Sequence, residues 1–382
     1  MNQNPLTTFL TMRSAVATEP IGDGGPDTCA ALTGSLDAVI EELGSGIGAG
    51  AAVVALGGYG RGEQCIWSDV DLMILHHKRE TEPLVQAVFY PLWDANLKVG
   101  HSVRTVQECR VAAREDLETL TSLLSARLVA GDTELFAEFE RSLAEVLRER
   151  ALAPRLAELE RERRLAEPYP VMAADVKAGR GALRTHEGFW WERRRAELIG
   201  LSYPPETDEE REARGMLLAV RNALHASAGR PNDRFLVDLR EPAAGWLDTD
   251  VRSLAVALTS ALHEGDRLAD RRWPELHSEP ASADGLGRRV FGAIRTRFSS
   301  ADAPAGGDNP ESILEIAVRA AARPEGAWLT PAEEEVIRNA PPAEWTAADR
   351  TAFVKLLSAG SRGRTVFGLL EELGWVDREF PE

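Results

Sequence analysis

A glycine-rich turn followed at close range by paired aspartates constrains this chain more than any other feature. Residues Gly57 to Leu75 read GGYGRGEQCIWSDVDLMIL. The preceding segment Ala51 to Leu56, AAVVAL, is short and apolar, as a buried strand requires. It ends at Gly57-Gly58, where the lack of a Cβ lets backbone approach a ligand and leaves N–H groups free to cradle phosphate. A second strand is expected over about Val70 to Leu75. Side chains alternate along a strand, so Asp69 and Asp71 are expected on one face. Two carboxylates that close repel each other unless a cation lies between them. Magnesium, a hard ion that seeks oxygen, suits a site in which a triphosphate completes the ligand set. An acidic strand end in solvent is the alternative for Asp-x-Asp alone; the flanking strands and the Gly-Gly turn favour metal-dependent nucleotidyl transfer.

Other glycine loops fit less well. Gly44 to Gly50, GSGIGAG, precedes a strand and lacks the G-x-G-x-x-G spacing, so it reads as a flexible linker. A kinase loop at GYGRGE would demand a Val-Ala-Ile-Lys strand and a His-Arg-Asp loop, and the chain has neither.

The segment Gly57-Gly58-Tyr59-Gly60-Arg61-Gly62-Glu63, followed by Ser68-Asp69-Val70-Asp71-Leu72, resembles the active-site motif of the protein-PII uridylyltransferases, members of the polymerase-β-type nucleotidyltransferase superfamily. The resemblance continues through Leu92-Trp93-Asp94, through Leu97 to Thr105 (LKVGHSVRT), and through Glu115-Asp116-Leu117 to Gly131-Asp132. It extends to Val176-Lys177 with Gly181 to Arg184, to Arg221 through Leu239, and to Phe353 through Glu382. It implies transfer of a nucleoside monophosphate, UMP from UTP, to a tyrosine of a PII-type nitrogen regulatory protein, with release of pyrophosphate. Asp69 and Asp71 would be the catalytic, Mg2+-holding pair. Gly57, Gly58, Arg61, Ser68, Lys177 and Arg184 would contact the nucleotide, with His101 and Arg104 as positioning residues. Where the family loop reads Lys-Glu-Gly-Pro-Gly-Gly-Leu-Arg-Asp, this chain has Lys177-Ala178-Gly179-Arg180-Gly181-Ala182-Leu183-Arg184-Thr185, losing two carboxylates and gaining an arginine. Full-length members continue into a His-Asp hydrolase domain and ligand-sensing ACT domains; no His-Asp dipeptide occurs here, so a transferase half without them is expected. Two alternatives stay open: transfer of adenylyl from ATP or to another acceptor, and a catalytically inactive nucleotide-binding regulator.

A net charge of −17 opposes non-specific attraction to nucleic acid, whose binding rests on Lys and Arg neutralising phosphates. Arg161, Arg163, Arg164 and Arg193 to Arg195 are expected to form a solvated face. Cys29, Cys65 and Cys109 lack metal-ligand spacing and read as reduced thiols, with nothing near Cys65 in sequence to lower its pKa. No signal peptide is evident, and the uncharged run Leu43 to Gly60 is broken by seven glycines, so a cytoplasmic protein free of membrane contact is expected.

The expected fold is α+β, a small mixed-sheet nucleotidyltransferase domain followed by mainly helical domains. Residues 1–26 lack a sustained apolar period and are expected to be disordered; 27–130 form the nucleotidyltransferase domain, 131–298 a helical domain and 311–382 a small helical domain. Helices are expected over about Ala30 to Leu43 and Glu82 to Asn96, with a third strand over Lys98 to Thr105. Leu117, Leu120, Leu124 and Leu128 suggest one helix ending at Gly131, with another running from Thr133 to about Glu160. A breaker-rich linker is expected over Ser299 to Pro310, and a capping box at Thr330 and Glu333. His101 is expected to act structurally and not in proton transfer.

Overall fold

The computed structural model describes residues 4–77, 80–149, 151–166, 173–277, 312–323, 329–341 and 346–379. The chain divides into two compact units, 1–269 and 270–382. The first is α+β, built on a four-stranded mixed sheet of order β3-β2-β1-β4. Strand β1 (Ala51–Ala55) lies antiparallel to both β2 (Val70–His76) and β4 (Arg127–Gly131), and β2 runs parallel to β3 (Val99–Arg104). All five residues of β1 are buried, which is why that strand is apolar without alternation.

The two faces of the sheet are covered by different helices. Val53, Ala55, Val70, Leu72 and Ile74 join one core with Leu32, Leu36 and Ile40 of α2 (Pro26–Leu43) and Phe89 and Leu92 of α4 (Glu82–Asp94). The opposite face, which carries Asp71 and Met73, meets α5 (Val106–Glu115) and α7 (Thr133–Glu149); the Cys109 thiol lies 3.6 Å from Met73 Sδ. The first unit also holds α6 (Leu117–Leu124), α8 (Ala153–Ala166), α9 (Leu183–Ile199), α10 (Asp208–Ala228), α11 (Val237–Trp246) and, up to residue 269, α12 (Val251–His277). None of the helices among the described residues is long and apolar enough to cross a membrane.

Three expectations are corrected. Residues 5–16 of the amino-terminal segment form a helix: α1 (Pro5–Val16) begins with Asn4 Oδ1 accepting from Leu6 N–H at 2.8 Å, with Pro5 in its first turn. Only Phe9 and Val16 are buried, too few to produce an apolar period, and tertiary contacts hold the helix. Arg13 Nε donates to the Ile66 carbonyl at 2.7 Å and its guanidinium lies over the Trp67 ring, while Trp246 Nε1 donates to the Val16 carbonyl at 3.1 Å. Second, the Leu117–Leu128 helix stops at Leu124, and Arg127–Gly131 becomes the edge strand β4. Arg127 reaches Asp37 of α2 through two bonds of 3.0 and 2.9 Å and stacks over Tyr59, a set of long-range contacts that local spacing cannot express. Third, the long helix expected to reach Glu160 is two helices, α7 and α8.

The expected basic face is also largely neutralised. Arg163 pairs with Glu160, Arg164 with Asp266, Arg194 with Glu140 and Arg195 with Glu192. The linker expected at Ser299 to Pro310 lies outside the described residues.

The second unit holds α13 (Ile313–Ala322), α14 (Pro331–Asn339), α15 (Ala347–Ser358), α16 (Gly360–Glu372) and α17 (Trp375–Glu379) around Leu314, Ile337, Leu356, Leu370 and Trp375. The Thr330–Glu333 capping box is present, and Glu333 also binds Arg319 and Arg323. Those donors hold its carboxyl down to about 2 against the cost of burial.

Candidate active site

The turn after β1 is built so that Asp71 can approach backbone. Gly57 has φ 54, and a Cβ there would stand 2.8 Å from Asp71 Oδ2; a Cβ on Gly100, the register partner of Asp71 on β3, would come closer still to Oδ1. Position 57, with its positive φ, therefore favours glycine, and Gly100 leaves the carboxylate room that a Cβ would occupy. Asp71 thus sits in a notch between two glycines, with its pKa raised by burial and by the charge of Asp69 and partly offset by Lys177 and Arg61. Asp69 is more open, and Lys98 Nζ lies 2.6 Å from its Oδ2. The Ser68 hydroxyl nearby is buried and has no hydrogen-bond partner among the described residues.

A cavity of about 420 Å³ opens on this notch. That size falls within the range of small-molecule sites, roughly 300–1,000 Å³. Gly57, Arg61, Asp71, His101, Arg104 and Arg184 of the sequence-derived set line it; Gly58, Ser68, Asp69 and Lys177 do not. Lys177 is close enough to influence Asp71, and burial together with Arg221 lowers its pKa.

Arg61, expected at the nucleotide, is already committed. Its guanidinium is 6% exposed and pairs with Glu63 at 2.8 Å and with Glu187 of α9. Glu63 also binds Arg214 of α10, and Glu187 binds Arg184 at 2.9 Å. Buried as it is, Glu63 is still held below the usual carboxylate range by Arg61 and Arg214. This network joins the glycine turn to two distant helices. Glu108 caps α5 through Thr105, so neither Glu63 nor Glu108 joins the aspartates.

His101 packs on the other face of the sheet. It is the register partner of Leu72, whereas Gly100 partners Asp71, so the period of two turns the imidazole away from the carboxylates. Its ring meets Phe89 at 5.5 Å and Trp93 at 5.2 Å. His101→Phe is therefore expected to change kcat by less than about tenfold, against the 10²–10⁴ that a lost general base would cost. A steady-state kcat measurement across pH decides; a loss of the acidic limb, which reports a general base, would contradict the packing role.

The Cys65 expectation is corrected. Cys29 lies 3.7 Å away, sulfur to sulfur, and Arg221 Nη1 at 3.5 Å, and these lower the thiol to about 7 against the effect of burial. Arg221 also binds Asp233 at 2.7 Å. Sequence distance hid this: Arg221 lies 156 residues from Cys65.

No family model matches the chain. Curated relatives do. The bifunctional uridylyltransferase/uridylyl-removing enzyme of Streptomyces coelicolor is 31% identical over 389 residues, covering 92% of this chain and 44% of the relative. The enzymes of the same name from Erythrobacter litoralis and a Bradyrhizobium strain are 40% and 37% identical over 50% and 58% of the chain. The chain is thus similar over most of its length to bifunctional uridylyltransferase/uridylyl-removing enzymes. It spans from 23% to 44% of the length of these relatives.

Residues in and beside the 177–185 loop have structural roles of their own. Arg180 Nε donates to Asp266 of α12 at 2.9 Å, and Gly181, with φ 68, lies where a Cβ would strike the Leu262 carbonyl. The Lys177 and Ala178 amides donate to Asp175 Oδ1 at 2.9 and 2.7 Å, and Val176 N–H donates to the Asp233 carbonyl at 2.8 Å. Lys177 stays near enough to act on Asp71.

Proposed function

We propose that this chain transfers a uridylyl group from UTP to a tyrosine hydroxyl of a PII-type signalling protein, releasing pyrophosphate. The observation that carries this reading is the Asp71 carboxylate, held in a two-glycine notch beside Asp69 at the end of a nucleotide-sized cavity. The donor set fits a divalent cation: two adjacent carboxylates, one with a raised pKa, and an unpartnered Ser68 hydroxyl. Asp69 and Asp71 would hold magnesium, leaving its other positions to water and phosphate oxygens, and the ion would neutralise charge on the triphosphate.

The chain's own residues do the rest by placement. Gly57 and Gly58 offer backbone N–H groups, and Lys177 offers an ammonium that makes no side-chain hydrogen bond among the described residues. Its lowered pKa shows that it is held in a poorly solvated place, where an anionic phosphate is a favourable neighbour. The tyrosine oxygen attacks the α-phosphorus in line as its proton passes to solvent water, the bond to the β-phosphate oxygen breaks, and pyrophosphate leaves. Glu63 and Glu108, paired elsewhere, are not placed to accept the phenolic proton.

The test is incubation of the purified chain with a PII-type protein and α-labelled UTP or ATP. Label from UTP on the PII tyrosine is expected; label only from ATP, or none, overturns the proposal. Lys177→Met is expected to raise KM for UTP about 10- to 100-fold, the value of one charge-assisted hydrogen bond. An unchanged KM would place Lys177 outside the phosphate contacts.

A further inference from the structure

The cavity has two chemically different ends. Near Asp71 are the glycine turn, Lys177 and Arg61, together with the carboxylates that would hold a cation. The rest of the cavity is lined by Ser102 of β3 and by α6, with Asp116, Glu118 and Thr119 at the start of that helix and Ser122 in its last turn.

Several observations decide what that wall can accept. Asp116 caps α6, accepting from Thr119 N–H at 2.7 Å, and hydrogen bonds from Thr119 lower its pKa, so it is ionised at neutral pH. Glu118 lies in the same turn and Arg104 acts on Asp116, so among the described residues two carboxylates face one guanidinium at the start of α6 and this end is net acidic. A triphosphate would be repelled there. The Ser102 and Ser122 hydroxyls line the cavity and make no hydrogen bond among the described residues, whereas Ser125 is occupied, accepting from Trp191 Nε1 at 3.0 Å and donating to the Thr121 carbonyl. Free hydroxyls beside carboxylate acceptors suit a neutral ligand rich in O–H and N–H groups. Parallel pairing puts Gly100, Ser102 and Arg104 on the face of Asp71, with Ser102 two residues beyond the notch, about 6–7 Å along β3.

We infer that the β3–α6 wall binds the nucleoside part of the nucleotide, with Ser102 and Ser122 hydrogen-bonded to its ribose, while the phosphates lie toward Gly57 and Lys177. This deepens the transferase reading and rests on it for the identity of the nucleotide. Charge sets the orientation: the acidic wall excludes phosphate and the hydroxyls take the sugar. Loss of a hydroxyl on the ligand then leaves a serine unpaired, which is how such a site rejects a deoxy analogue.

The full chain carrying Ser102→Ala and Ser122→Ala together tests the assignment. UMP and inorganic pyrophosphate are titrated separately by calorimetry, with thermal unfolding as the check on folding, and KM is measured for UTP and 2′-deoxy-UTP. The double variant is expected to bind UMP about tenfold more weakly, to raise KM for UTP to the same extent, and to lose discrimination against 2′-deoxy-UTP, with pyrophosphate binding unchanged. Unchanged UMP affinity, or weakened pyrophosphate binding alone, overturns it. A wild-type chain that binds UMP with this serine dependence but labels no PII protein would instead sink the transferase reading and leave the wall standing.

Discussion

Asp71→Asn is expected to lower kcat for uridylyl transfer by about a thousandfold or more while leaving the first unit folded. Asparagine keeps the size of the side chain between Gly57 and Gly100 but removes the charge that a cation needs. The stability sign is opposite to that of an ordinary core substitution. Asp71 has a raised pKa, so its ionised form is less favourable in the folded chain than in the unfolded one. That penalty is present above the folded pKa and absent below the unfolded value, near 3.8. Asp71→Asn should therefore unfold at the same temperature as the parent chain or higher at pH 7, with the advantage fading in acid. Activity assays paired with melting curves at pH 7 and pH 4 give the answer. Full activity in the variant would remove the metal-dependent reading, and a large loss of Tm would show that the carboxylate is structural.

Arg61→Ala is expected to destabilise the first unit by about 3–5 kcal/mol, the cost of leaving buried carboxylates without their partner. Glu63 and Glu187 are both about 10% exposed and both face Arg61. At roughly 2–4 °C per kcal/mol, Tm should fall by about 10 °C. Glu63 is held below its ordinary pKa in the parent chain, so its contribution is present above the unfolded value of 4.5 and is lost as pH falls through the folded one. The defect of the variant should accordingly shrink in acid, where the stranded carboxyls can protonate. Combining Arg61→Met with Glu63→Gln and Glu187→Gln should recover most of the loss, because no charge is then left unpaired. If Arg61→Ala raised KM for UTP with no change in Tm, the guanidinium would be a nucleotide ligand and the network incidental.

How much was legible follows the range of the interactions. One wall of the notch around Asp71 was readable because Gly57 and Asp71 lie within nineteen consecutive residues, Gly57 to Leu75, and strand alternation depends only on neighbours; the other wall, Gly100, is supplied by pairing with β3. Helices α2 and α4, strands β1 to β3 and the Thr330 capping box carry local signals, and they form near the expected bounds. Helix α1 was missed because two buried side chains make no period; Trp246 and Trp67 hold it from far along the chain. Strand β4 was missed because leucine spacing continues past Leu124, and only pairing with β1 and the Arg127–Asp37 contact end the helix there.

The amino-acid sequence by itself determined the glycine turn, the paired carboxylates and the family resemblance, since each rests on residue identity at short spacing. Tertiary structure alone decided which groups remain available to a ligand. Arg61 is consumed by Glu63 and Glu187, His101 is turned to the other face by strand register, and Ser102 and Ser122 are brought onto one cavity with their hydroxyls free. Availability is a property of pairing in space. A guanidinium reads the same in sequence whether it meets a phosphate or a buried carboxylate, and only the folded chain chooses between them.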